Sequence, residues 1–141
     1  MSPEASLPFK VRVFSDFDGT ISNKDSLKHL LVKHAGSTFQ QLEAGILSGQ
    51  IPEAQALPKM FENFPLLPLE AQAEVLDTVQ VDSSFRNFAQ WCRSSGVELT
   101  ILSGGFESFI RPLLAREGLE DLEIIANDID QNWSIRRAPV K

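Results

Sequence analysis

The stretch Asp16-Phe17-Asp18-Gly19-Thr20 sets two carboxylates one residue apart at a turn. It follows a segment in which Phe9, Val11 and Val13 alternate with Lys10 and Arg12. Side chains two apart on an extended chain share a side, so Asp16 and Asp18 face one way and Phe17 turns into the fold. Carboxylates that close repel, and a shared proton or a divalent cation relieves the repulsion. Hard oxygens suit Mg²⁺, which takes one or two carboxylates plus substrate phosphate and water. A second polar triplet, Ser103-Gly104-Gly105, follows an apolar run. At the start of a helix, its hydroxyl and N–H groups would form an anion site reinforced by the helix dipole. A carboxylate pair with a metal beside a phosphate nest suits phosphoryl transfer, in which an aspartate can form an aspartyl-phosphate.

Plainer readings compete. A lone Asp-x-Asp is commonly a turn, but here it directly follows an apolar strand and precedes Gly-Thr. A calcium EF-hand loop is excluded, because Ile21 stands where glycine is needed and Leu27 where the closing glutamate is needed. Ser103-Gly104-Gly105 alone reads as a helix cap and gains meaning only beside the first motif. Asp128 and Asp130 form another Asp-x-Asp, at a hairpin turn where aspartates serve the backbone. His29 and His34 lie five apart on one helix and point to different sides. Asn127, at the end of a strand, is a candidate brace for the loops.

These groups need elements to position them. The residues from Phe9 to Phe14 read as a strand ending at Ser15-Asp16. Leu27, Leu30, Leu31 and His34 give a helix stopped by Gly36, and Phe39, Leu42 and Ile46 a second. Ala54, Leu57, Met60 and Phe61 give a third, kinked at Pro58; Leu69, Ala73, Leu76 and Val79 a fourth, opened by Pro68. A helix capped by Asp82 or Ser83 carries Phe85, Phe88, Trp91 and Cys92 inward and ends at Ser95-Gly96. Residues 97–102 are apolar almost throughout, as in a strand covered on both faces of a parallel sheet. A helix with Phe109, Ile110, Leu113 and Leu114 inward then closes at Gly118. Residues 123–126 read as a further strand, and 133–136 as a short hairpin partner. The order predicts an α/β fold with a Rossmann-like parallel sheet. The strandless block 23–80 reads as a helical cap inserted between core segments 1–22 and 81–141.

The chain has 141 residues, 43% hydrophobic and 23% charged, which excludes a disordered or disulfide-dense class. Its net charge of −6 argues against nucleic-acid and anionic-membrane partners, which need a basic footprint. Cys92 is the only cysteine, so neither an intrachain disulfide nor a cysteine metal cage can form. Residues 1–10 hold no apolar run, and no stretch approaches the ~18 apolar residues of a membrane helix. The expectation is a soluble, cytoplasmic protein.

Asp16-Phe17-Asp18-Gly19-Thr20 after a strand resembles the first motif of the haloacid dehalogenase superfamily of phosphatases and phosphotransferases. Ile101-Leu102-Ser103-Gly104-Gly105 resembles its second motif, and the helical insert its small cap. The longer phrase from Ser15 to Ser26 is similar to that of phosphoserine phosphatases and, more closely, of methionine-salvage phosphatases acting on a methylthiopentenyl phosphate. Phosphoserine phosphatases usually place a glutamate where Asp25 stands and carry a cap arginine for the substrate carboxylate. Residues 23–80 contain no arginine, which turns the resemblance away from phosphoserine.

The resemblance implies a Mg²⁺-dependent phosphatase for a small phosphorylated metabolite. Asp16 would be the nucleophile, and Asp18 the acid and base. Mg²⁺ would be held by the Asp16 carboxylate and the Asp18 backbone carbonyl. Ser103 and the Gly104 N–H would hold phosphate, and Asp25 would face the substrate. The family also uses a lysine and acidic residues ending a fourth strand, for which no counterpart follows Arg137. The expectation is a core incomplete at its C-terminal end, slow or inactive alone, with a first strand free to self-associate at its edge. A non-catalytic phosphate- or metal-binding remnant, and a phosphotransferase or phosphomutase on the same fold, are the alternatives.

Overall fold

A computed structural model describes residues 8–138. Strand β1 (Arg12–Ser15) opens the fold, and four helices follow: α1 (Ser26–Leu47), α2 (Glu53–Met60), α3 (Pro68–Thr78) and α4 (Ser83–Ser94). Strand β2 (Glu98–Phe106), helix α5 (Glu107–Ala115), and strands β3 (Glu123–Ile129) and β4 (Ile135–Arg137) complete it. The sheet order is β1-β2-β3-β4. β2 pairs parallel with both β1 and β3, while β4 returns antiparallel to β3. The α/β, parallel-dominated fold is therefore the one the sequence predicts.

β2 is central because its residues tolerate cover on both faces: Leu99, Thr100 and Ile101 are all buried in succession. Phe106, Phe109, Ile110, Leu113 and Leu114 carry the core from the end of β2 into α5. The helical run between Asn23 and Gln80 leaves and returns at one place. Ser22 bridges Val81, and Asn23 and Gln80 exchange two hydrogen bonds of 2.9 Å, one through the Asn23 side chain. Both sites of exit therefore sit a few residues beyond β1, next to Asp16 and Asp18.

Several local expectations fail. Gly36 does not stop a helix; α1 continues through it with one non-helical residue, Ala35, at φ −143°, ψ 38°. A glycine ends a helix by turning left-handed, and Gly36 does not, whereas Gly96 after α4 does, at φ 70°. Phe88 and Trp91 stack on the outside of α4, 39% and 44% exposed, because the face that meets the sheet is Phe85, Ala89 and Cys92. On α3, Leu69 and Ala73 likewise face out and Ala71 and Val75 face in.

Candidate active site

The turn after β1 is built around Phe17. Its side chain is fully buried, and its carbonyl accepts from the N–H groups of Thr20, Ile21 and Ser22 at 2.8–3.1 Å. That knot turns Asp16 and Asp18, on either side of Phe17, towards a common cavity. Asp16 is exposed, and its one carboxylate contact is a long bond of 3.4 Å from the Thr20 hydroxyl. Asp18 is partly buried, and its Oδ1 accepts from both the N–H and the hydroxyl of Ser26 at 2.8 Å. Burial pushes the Asp18 carboxyl above its ordinary value; the Ser26 bonds oppose this, and the charges of Asp25 and Asp16 add to it.

The second motif lies opposite. β2 extends to Phe106, so Ser103, Gly104 and Gly105 belong to the strand end and α5 begins only at Glu107. The helix thus starts later than expected, directly beyond the triplet, and the donors are strand-end backbone and the Ser103 hydroxyl. Ser103 Oγ accepts from the Gly105 N–H at 3.0 Å, which leaves its own hydrogen to donate. A Cβ on Gly105 would stand 2.6 Å from Asp18 Oδ2. The two motifs thus touch at a point that admits no side chain.

Asp16, Asp18, Asp25, Ser103 and Gly104 all line one cavity of about 390 Å³ between the sheet edge and α1 and α2. Asp25 also caps α1, its Oδ1 accepting from the Lys28 N–H at 2.9 Å. Among the described residues no group of three or more His, Cys, Asp or Glu is arranged to hold a metal. The nearly unbonded Asp16 carboxylate is a hard oxygen donor of the kind a Mg²⁺ ion takes beside backbone carbonyl, phosphate and water. Asp128 and Asp130 stay outside the cavity: Arg136 binds Asp128 at 3.0 Å, and Asp130 accepts from two N–H groups of its own turn.

Two positioning residues carry more than their sequence signal. Ser26 is fully buried beneath Asp18, yet reads from sequence as one more hydroxyl near a helix start. Asn127, 6% exposed, donates through Nδ2 to the Gly104 carbonyl at 2.8 Å. β3 runs on to Ile129, so Asn127 lies within the strand and not at its end, and the parallel register of β2 and β3 decides that it reaches Gly104.

The model of the haloacid dehalogenase-like hydrolases matches residues 13–141. The chain belongs to this family. This haloacid dehalogenase-like chain is 34% identical over 125 residues to a 2-hydroxy-3-keto-5-methylthiopentenyl-1-phosphate phosphatase of Brevibacillus brevis, covering 86% of the chain and 55% of that protein. It is 37% identical over 133 residues to Pdp3-interacting factor 1 of Schizosaccharomyces pombe, covering 87% and 58%. Among solved structures, a phospho-aspartyl intermediate analogue of phosphoserine phosphatase superposes with a TM-score of 0.68 at 17% identity, over 89% of the chain and 62% of that one. That likeness shows the fold. The chain spans about half the length of the curated relatives it matches. No helix among the described residues is long and apolar enough to cross a membrane.

Proposed function

We propose that the chain carries the site of a Mg²⁺-dependent phosphatase that hydrolyses a small phosphorylated metabolite through an aspartyl-phosphate. The asymmetry of the two carboxylates carries the reading. Asp16 is open to a substrate, while Asp18 is partly buried and drawn towards its protonated form. A nucleophile must be reachable and a general acid must hold a proton; unequal burial separates these roles.

Asp16 attacks phosphorus, and its new O–P bond forms as the ester P–O bond breaks. Asp18 gives its proton to the departing oxygen. As a carboxylate it then takes a proton from water, whose oxygen displaces Asp16 and releases phosphate. Ser103 Oγ–H and the Gly104 N–H hold phosphate oxygens through both steps. Mg²⁺, held by the Asp16 carboxylate and the Asp18 backbone carbonyl, would neutralise phosphate charge there. Asp25 faces the substrate from residues 23–80, which act as a cap over core segments 1–22 and 81–141. The 34% identity to the Brevibacillus phosphatase supports the substrate class.

The test is covalent trapping. After incubation with Mg²⁺ and a phosphate monoester, mass spectrometry should find a phosphoryl adduct on the Asp16 peptide and none in Asp16→Asn. No adduct, together with no affinity for phosphate or vanadate, would overturn the proposal.

A further inference from the structure

The cavity has a second half that the chemistry above does not use. Beyond Asp16, Asp18 and Ser103 its walls come from α1 and α2, where Leu27, Leu31, Phe39, Ile46, Leu57 and Met60 supply an apolar lining. Two carboxylates, Glu43 and Glu53, stand in that lining. Lys28 is the one cation in the cavity, and its ammonium is 3.8 Å from the Glu43 carboxylate. Glu53 has no cationic partner among the described residues, and residues 23–80 contain no arginine.

The two halves therefore differ in what offsets their charge. A cation would offset Asp16 and Asp18. Glu43 pairs with Lys28 while Glu53 has no cationic partner among the described residues, so the upper wall keeps a net negative charge. A ligand whose phosphate is seated below would bring the far end of its body against that wall. Apolar bodies gain from the leucines and from Met60. A carboxylate gains no free cation there and meets like charge, which costs affinity.

We infer that Glu43 and Glu53 are specificity residues that turn away phosphate esters bearing a carboxylate, and select those with an apolar, carboxylate-free body. The inference rests on the phosphate site proposed above. It assigns the selection to repulsion on α1 and α2, and not merely to the lack of an arginine.

Two non-hydrolysable ligands test it: pentylphosphonate, and its counterpart with the terminal methyl replaced by a carboxylate. Their dissociation constants for the 141-residue chain are measured with Mg²⁺ by calorimetry, beside inorganic phosphate. The carboxylate ligand should bind at least about tenfold more weakly. In Glu43→Gln/Glu53→Gln, which also releases Lys28, the ratio of the two constants should fall towards one. Glu53→Gln alone should bring part of that fall. A ratio near one in the original chain, or one unchanged in the double variant, overturns the inference while leaving the phosphate site standing. Failure of all three ligands, inorganic phosphate included, overturns the phosphate site itself and the selection with it.

Discussion

The Asn127 side chain donates to the Gly104 carbonyl at 2.8 Å, tying β3 to the last residues of β2. The bond spans two parallel strands whose register is interrupted between Leu102 and Phe106. That carbonyl belongs to the 104–105 peptide, whose N–H donates to Ser103 Oγ at 3.0 Å, so the bond helps to orient the Ser103 hydroxyl. Asn127 is thus a positioning residue, holding a donor without touching phosphate itself. Asn127→Ala should weaken the binding of inorganic phosphate, read by calorimetry, by about tenfold. It should also lower the unfolding free energy by about 1–2 kcal/mol, because a carbonyl beside a buried site loses its partner. Destabilisation with unchanged phosphate affinity would reduce Asn127 to a structural role.

Gly104 and Gly105 are neighbours with opposite tolerances. A Cβ on Gly105 falls 2.6 Å from Asp18 Oδ2, whereas one on Gly104 meets nothing within 4 Å. Gly105→Ala must displace either the Asp18 carboxylate or the strand end. It should cost about 1–3 kcal/mol in urea unfolding and abolish the Asp16 phosphoryl adduct. Gly104→Ala should change stability by no more than about 0.5 kcal/mol. Equal stability losses in the two variants would mean that the close approach does not restrict position 105.

Asp18 should cost the protein stability while serving its chemistry. Its folded pKa lies above the ordinary carboxylate value of 3.8 because burial disfavours the charge. Between the unfolded and folded pKa values, the native chain then binds more protons than the unfolded chain. Stability from this group is present at lower pH and falls as pH rises through the folded pKa. Asp18→Asn removes the charge and keeps an acceptor for Ser26, so it should raise stability at pH 7 in metal-free buffer. It should also stop turnover, a trade of stability for function. Ser26→Ala removes one bond that favours the carboxylate, so it should move the Asp18 titration, followed by carboxyl NMR, to still higher pH. A shift downward would contradict the geometry.

How far the sequence carried the fold depended on the range of each signal. Asp16, Asp18, Ser103 and Gly104 were legible because each follows an apolar strand, and strand ends in a parallel sheet share one edge. Gly36 misled because a glycine's conformation depends on the chain beyond it. Phe88 and Trp91 misled because composition cannot say which side of an amphipathic helix meets the sheet. Ser26, Glu43 and Glu53 carried no local pattern at all. They come beside the cavity only when α1 and α2 fold over the sheet edge, a long-range arrangement no spacing rule encodes. Asn127 lay between these cases: its place next to the loops was readable, while the extension of β3 to Ile129 and its Gly104 partner were not.

Glu74 on α3 links that helix to α1. Lys33 Nζ stands 3.0 Å from its Oε1, and His34 Nε2 stands within 3.0 Å of both its carboxylate oxygens. Burial works to raise the Glu74 pKa, but the hydrogen bonds and charges of Lys33 and His34 outweigh it and leave it below the ordinary 4.5. A depressed acid contributes stability above its unfolded pKa and loses it as pH falls through the folded one. Glu74→Gln should therefore lower stability at neutral pH, by about 1 kcal/mol, since its carboxylate side chain is only 19% exposed. The gap between variant and parent should narrow below about pH 4.5, where the parent carboxylate also protonates, and it should shrink in high salt. Thermal unfolding of both proteins across pH 3–8 checks this. A gap constant over that range would show that Glu74 holds α1 to α3 by packing and neutral hydrogen bonds, with charge contributing nothing.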